Sequence, residues 1–140
     1  MRDIPLILVV GISGVGKTSI VEKSGLNAVI SYTSRPKRKG EKNAVHYHFK
    51  SRAWMEAYKD VFTLDFKDNY KHYYSASDDD LMNKDVFVVD PCTAVHLKTK
   101  IPAHIVWIKR DNAVNRKGRT EVPIDRLMEE HADSVIYNNQ

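Results

Sequence analysis

An apolar run, Ile4-Pro5-Leu6-Ile7-Leu8-Val9-Val10, ends abruptly in Gly11-Ile12-Ser13-Gly14-Val15-Gly16-Lys17-Thr18. Few folds accommodate that junction. The run lacks period-two alternation, which predicts a strand covered on both faces, as in a parallel sheet. The residues after the glycines, 17–23, predict a helix that ends at Gly25. The octapeptide meets G-x-x-x-x-G-K-[ST] at every fixed position, and it sits after a strand and before a helix. Its glycines let the backbone wrap a phosphate, and the helix N-terminus adds partial positive charge. Ser13, Gly14, Val15, Gly16, Lys17, Thr18 and Ser19 are therefore the candidate ATP-binding residues. Lys17 would reach the β- and γ-phosphates, and Thr18 would hold Mg²⁺ through its hydroxyl. The motif leaves the phosphate acceptor open: water, a small molecule or a nucleotide.

The rest of the chain alternates strands and helices at both ends, around a more β-rich middle. Residues 27–33 predict a second strand, and 35–42 a polar, basic loop. Residues 45–49 predict extended chain, followed by a helix through Trp54, Met55 and Tyr58 with Ser51 as its cap. Residues 62–66 and 70–74 predict a hairpin turning at Asp68-Asn69. Ser77 followed by three aspartates predicts a helix cap and an acidic first turn. Residues 86–89 and 105–108 predict buried strands, with a short helix over 93–99 after the first of them. Residues 122–131 predict a helix with Pro123 near its start, and 134–137 a last strand. This order predicts an α/β fold with a mainly parallel sheet.

Composition narrows the field less. The 140 residues suit one domain. The net charge of +4 suits an anionic ligand, and nucleic acid equally. The single cysteine, Cys92, forbids an internal disulfide and suits a reducing compartment, so a cytoplasmic setting is expected. No apolar run approaches the roughly 20 residues of a membrane span. The apolar start leads into glycines where a signal cleavage site would be expected, so it reads as a strand. His46 and His48 alternate along a chain, but no further ligands accompany them, and zinc is not expected.

The basic segment carries the decisive pattern. Ser31-Tyr32-Thr33-Ser34-Arg35-Pro36-Lys37-Arg38-Lys39-Gly40-Glu41, then Tyr47-His48-Phe49, resembles the guanylate kinase family at each fixed position of S-x-T-[ST]-R-x-x-R-x-G-E and Y-x-F. Leu64-Asp65-Phe66, residues 73–77, Val88-Val89-Asp90, residues 115–121 and the stretch from Ile124 to Asn139 resemble further segments of that family. The resemblance implies a P-loop NTPase-type three-layer α/β fold. It implies a core of residues 1–33 and 84–140, a small β-rich insert of about 34–83 that binds the nucleoside monophosphate, and a short lid of about 112–122.

The resemblance also implies roles. Arg35 and Arg38 would clamp the acceptor's phosphate with the hydroxyls of Tyr47 and Tyr74, and Glu41 would order their loop. Ser31, Asp65 and Ser77 would serve the acceptor nucleoside. Lys17, Arg35, Arg116, Arg119 and Arg126 would close on the phosphates in transfer, and Asp90 would join Thr18 near Mg²⁺. The residue chemistry agrees, since paired arginines form a planar multi-donor trap for a phosphate dianion. The implied reaction is ATP + (d)GMP to ADP + (d)GDP with Mg²⁺.

Departures from the family pattern qualify this expectation. Ala44 stands where the family has glycine, Asp65 replaces glutamate, and Pro91-Cys92 occupies the place of a second acid. Losing an acid relaxes base discrimination, which allows a broad-specificity deoxynucleotide kinase. The lid is short, and the helix after the last strand is absent from the sequence. These trims allow a second reading, a binding module for nucleotide or protein without turnover. A nucleic-acid end-processing kinase is a third, and would need a groove for polymer. Such economy suits a phage-encoded enzyme acting in host cytoplasm.

Overall fold

The computed structural model describes residues 2–11, 16–68, 71–109 and 122–138, the last stretch with side chains from residue 125. It forms two compact units, one of residues 1–28 and 85–140, the other of residues 29–84.

The first unit is built on a parallel sheet. Strand β1 (Leu6–Val10) lies between β6 (Val86–Val88) and β7 (Ala103–Lys109), and β8 (Ser134–Tyr137) flanks β7. Every pairing in this sheet is parallel, with Leu8 opposite both Phe87 and Ile105. The apolar run that lacked alternation is thus the central strand. Leu6, Leu8 and Val10 are fully buried on one pleat, and Val9 is buried on the other.

Helices account for both faces. Helix α1 (Lys17–Ser24) lays Ile20 and Val21 against the cluster of Val9, Val86 and Ile108. Helix α4 (Pro91–Lys98) packs on β1, β7 and α5 (Val122–His131), burying Ala94 and Leu97. Burying a leucine of this kind stabilises by roughly 1.5–3 kcal/mol. Asp133 fastens the α5–β8 turn. Its carboxylate accepts from the Ile105 N–H at 2.8 Å and from Lys98 at 2.5 Å. Burial alone would raise that carboxyl's pKa, but the Lys98 ammonium and the Ile105 N–H together hold it below the usual value.

The second unit is a mixed sheet in the order β3 (His48–Phe49), β2 (Tyr32–Thr33), β5 (Tyr73–Ala76), β4 (Asp65–Asp68). Strands β2 and β3 run parallel, and the other pairs antiparallel. One face packs on α2 (Arg52–Ala57), where Met55, Phe62 and Tyr73 are buried together with Tyr32, Trp54 and Phe66 around them. Ser51 caps α2 through the Trp54 N–H, as its type and position predict. Ser77 caps α3 (Asp78–Asn83) in the same way through the Asp80 N–H.

Three expected elements differ in the structure. The strand expected over 27–33 is divided: Ala28 makes a lone bridge to Val86 in the first unit, and only Tyr32–Thr33 joins the second sheet. The hairpin sits further along the chain than 62–66 and 70–74, because Lys59–Val61 forms a 3₁₀ turn that uses Phe62 as its C-cap. Helix α4 begins at Pro91 and not Thr93, because Asp90 is its cap and proline suits a first helical position.

Candidate functional site

The first unit holds the described part of the glycine loop. Gly11 is buried at the end of β1, and α1 starts after Gly16. Gly16 has φ 94°, a conformation that favours glycine, and a Cβ there would come to 2.5 Å from the Asn138 side-chain nitrogen, which would have to shift. Lys17 turns back on the Gly11 carbonyl. Thr18 and Ser19 are exposed on the first turn of α1. Ser13, Gly14 and Val15 lie outside the described residues, as do Arg116, Arg119 and the expected lid. Arg126 is exposed on α5.

Asp90 follows β6 after one intervening residue, Val89. Its carboxylate accepts from the Thr93 N–H at 3.0 Å and from the Thr93 hydroxyl at 2.5 Å. Both oxygens serve the cap of α4. A hydroxyl from Thr18 and carboxylate oxygens from Asp90 are hard donors, the type that suits Mg²⁺, an ion that usually retains several waters.

The second unit gathers residues expected to bind the acceptor on one face of its sheet. The basic loop is held by charge. Arg35 donates to both Glu41 carboxylate oxygens, each at 2.9 Å, and to the Pro36 carbonyl at 3.0 Å. Glu41 also accepts from the Arg38 N–H at 2.7 Å. Arg35 and the Arg38 N–H hold the Glu41 carboxyl down to about 2, from an ordinary 4.5. The Arg35 guanidinium, raised in turn by Glu41, lies 5.2 Å from the Tyr47 ring centre and 5.7 Å from that of Phe49. The Tyr47 and Tyr74 rings lie 6.4 Å apart, edge to face. Arg35 is only 8% exposed, whereas Arg38 is exposed in the same loop.

Strand pairing explains the gathering. Thr33 is opposite Phe49 on one side and Tyr74 on the other, and Tyr74 is opposite Lys67. Paired residues share a face, so these form one row. Asp65 is opposite Ala76, and one further step of register sets Ser31 opposite Ala76. That makes a second row on the same face, with Asp65 only 4% exposed. The sheet thus brings Ser31, Asp65, Tyr74 and the Arg35 loop to one side. Ser77 lies just past this face, and its hydroxyl is engaged as the α3 cap.

Two contributors carried no assigned role in the sequence reading. Thr33 is fully buried; its hydroxyl donates to the Tyr73 carbonyl at 2.9 Å and accepts from the Arg35 N–H at 3.1 Å. Phe49 is a face for the Arg35 guanidinium. Both occupy fixed positions of the motif pattern, and that was the available signal. Of the two histidines, His48 stacks on Tyr32 at 4.4 Å, and His46 accepts from the Lys42 N–H at 2.9 Å.

Comparison with known proteins gives the same resemblance. The chain is 40% identical to a guanylate kinase of Neisseria gonorrhoeae over 72 residues, covering 46% of this chain and 35% of that protein. It is 32% identical to a guanylate kinase of Acinetobacter baylyi over 78 residues, covering 51% and 38%. These matches span little more than a third of the length of those relatives. Among solved structures, a guanylate kinase from Anaplasma phagocytophilum superposes with a TM-score of 0.70 at 18% identity, covering 99% of this chain and 79% of that one. That last likeness concerns the fold, which is of the P-loop NTPase type. No family model matches the chain.

Proposed function

We propose that this chain is a nucleoside monophosphate kinase that passes the γ-phosphoryl group of ATP to GMP or dGMP. The observation that carries the reading is the acceptor face: a buried arginine fixed by Glu41, two tyrosines and Asp65 on one side of one sheet. Arg35 and Arg38 bind the acceptor phosphate, and the tyrosine hydroxyls add uncharged donors. The Asp65 carboxylate accepts from the adjacent N–H groups of a guanine edge, with Ser31 in its row. In the first unit, Lys17 draws charge from the transferring group, helped by Arg116, Arg119 and Arg126. Thr18 and Asp90 hold Mg²⁺, which when bound neutralises phosphate charge and orients the triphosphate. The acceptor is already a phosphate, so positioning and charge cancellation suffice without a protein base.

A specific observation favours a weaker catalyst or a nucleotide-binding module as the second reading. Asp90 is committed to a helix cap, and no second acid follows it. The two readings part in one assay, coupled ADP production with Mg-ATP against GMP, dGMP, AMP, CMP, UMP and dTMP. Turnover confined to GMP and dGMP is expected. Turnover across several bases would mean that Asp65 does not read guanine. Binding without turnover on any acceptor would leave the module reading standing and the kinase reading refuted.

A further inference from the structure

Asn138 carries no role in the assignments above, yet its side chain meets the glycine loop where α1 begins. Its amide nitrogen stands 2.5 Å from the place a Cβ would take on Gly16, which puts it within roughly 4 Å of the Gly16 Cα. The backbone behind it is anchored. Tyr137 pairs with Lys109 at the end of the β7–β8 ladder, and the Asn138 N–H donates to the Lys109 carbonyl at 2.8 Å. Asn138 is half-buried there. On the helix side, the Gly16 carbonyl accepts from the Ile20 N–H at 3.0 Å. Gly16 has no side chain with which to cap α1, whereas Ser51, Ser77 and Asp90 cap α2, α3 and α4 with theirs. Glycine is also the residue least constrained by its own sterics, and at φ 94° Gly16 sets the course of the backbone just before Lys17.

Resting on the ATP-binding reading above, we propose that Asn138 is a positioning residue for the triphosphate: its carboxamide wedges against Gly16 and holds that residue in its left-handed conformation. A concave set of backbone N–H groups around an anion needs right- and left-handed residues in succession. Gly16 supplies a left-handed one immediately before Lys17. With the space of its missing side chain empty, Gly16 would turn to other conformations at little cost. Asn138 fills that space from the end of a paired strand, which is a rigid mount. It acts through Gly16 and not by contact with the nucleotide.

The test is Mg-ATP affinity by calorimetry, without acceptor, for wild type, Asn138→Ala, Gly16→Ala and the double variant, with the melting temperature of each. Asn138→Ala is expected to bind Mg-ATP about ten-fold more weakly while melting within about 3 °C of wild type. Gly16→Ala is expected to bind more weakly still, since its Cβ displaces the Asn138 amide and strains the left-handed backbone. The two losses should not add. In Gly16→Ala the wedge has already been pushed aside, so removing it as well costs little more. Equal affinity for wild type and Asn138→Ala overturns the proposal, as do losses that add in the double variant. A loss of affinity matched by a large fall in melting temperature also overturns it, by making Asn138 a prop for the fold. Asn138→Ser, too short to reach Gly16, guards against a poorly folded alanine variant; it should show the same deficit, and full affinity in it would refute the wedge. A wild-type chain that binds no Mg-ATP overturns the ATP-binding reading itself, and this proposal with it.

Discussion

Ala44 has φ 63°, the left-handed region, in the turn that leads from Glu41 to Tyr47. It is the only described non-glycine residue there, and it is the position where the related pattern has glycine. A Cβ in that conformation costs roughly 1 kcal/mol. Ala44→Gly is expected to stabilise the chain by about 0.5–1 kcal/mol, because relief of the clash outweighs the added freedom of the unfolded chain. Urea unfolding would show a higher midpoint with an unchanged slope; a lower midpoint would mean that the turn carries no strain. Glu41 allows a second statement at this scale. Its carboxyl is held at about 2 in the folded chain against an ordinary 4.5. A depressed carboxyl contributes stability above its unfolded pKa and loses it as pH falls through the folded value. Glu41→Gln is therefore expected to be less stable than wild type at neutral pH. That gap should close as pH is lowered from about 4.5 toward 2. A gap of constant size across urea titrations in that range would show that the Arg35–Glu41 pair does not govern it.

Helix α4 shows how one side chain serves an element and, on the proposed reading, a metal. Asparagine caps a helix about as well as aspartate, and alanine does not. Asp90→Ala is expected to cost about 1 kcal/mol, and Asp90→Asn only a few tenths. If Asp90 also stands near Mg²⁺, Asp90→Asn should lower turnover about ten-fold while melting almost as wild type does. Unchanged turnover in Asp90→Asn would reduce the residue to a cap. Much of the architecture was legible at this scale. The unalternating run became the central strand β1, and the helix and strand expected over 122–131 and 134–137 match α5 and β8. The start of α4 was misplaced because a Val-Asp-Pro sequence reads as the end of a strand until the cap geometry is seen. The hairpin slipped because a 3₁₀ turn has no period of its own by which to be read.

At the scale of the whole molecule, the residues proposed to bind the acceptor were legible as types in a pattern, but their assembly was not. Ser31, Asp65 and Tyr74 meet on one face only because strands β2, β5 and β4 pair in a particular register. Register depends on partners distant in the chain, which spacing alone does not reveal. The division of residues 27–33 was hidden too, because a short apolar run looks alike whether it joins one sheet or two. Yet that division has a use. Asn27 and Asp85 are joined by backbone and side-chain hydrogen bonds, both at 2.8 Å, where the chain leaves the first unit and where it returns. Exit and entry share one threshold, so residues 29–84 are topologically a cassette. A different cassette can be spliced in at that threshold without rethreading the parallel sheet, and on the proposed reading such an exchange would change the acceptor and leave the phosphate donor's unit as it is.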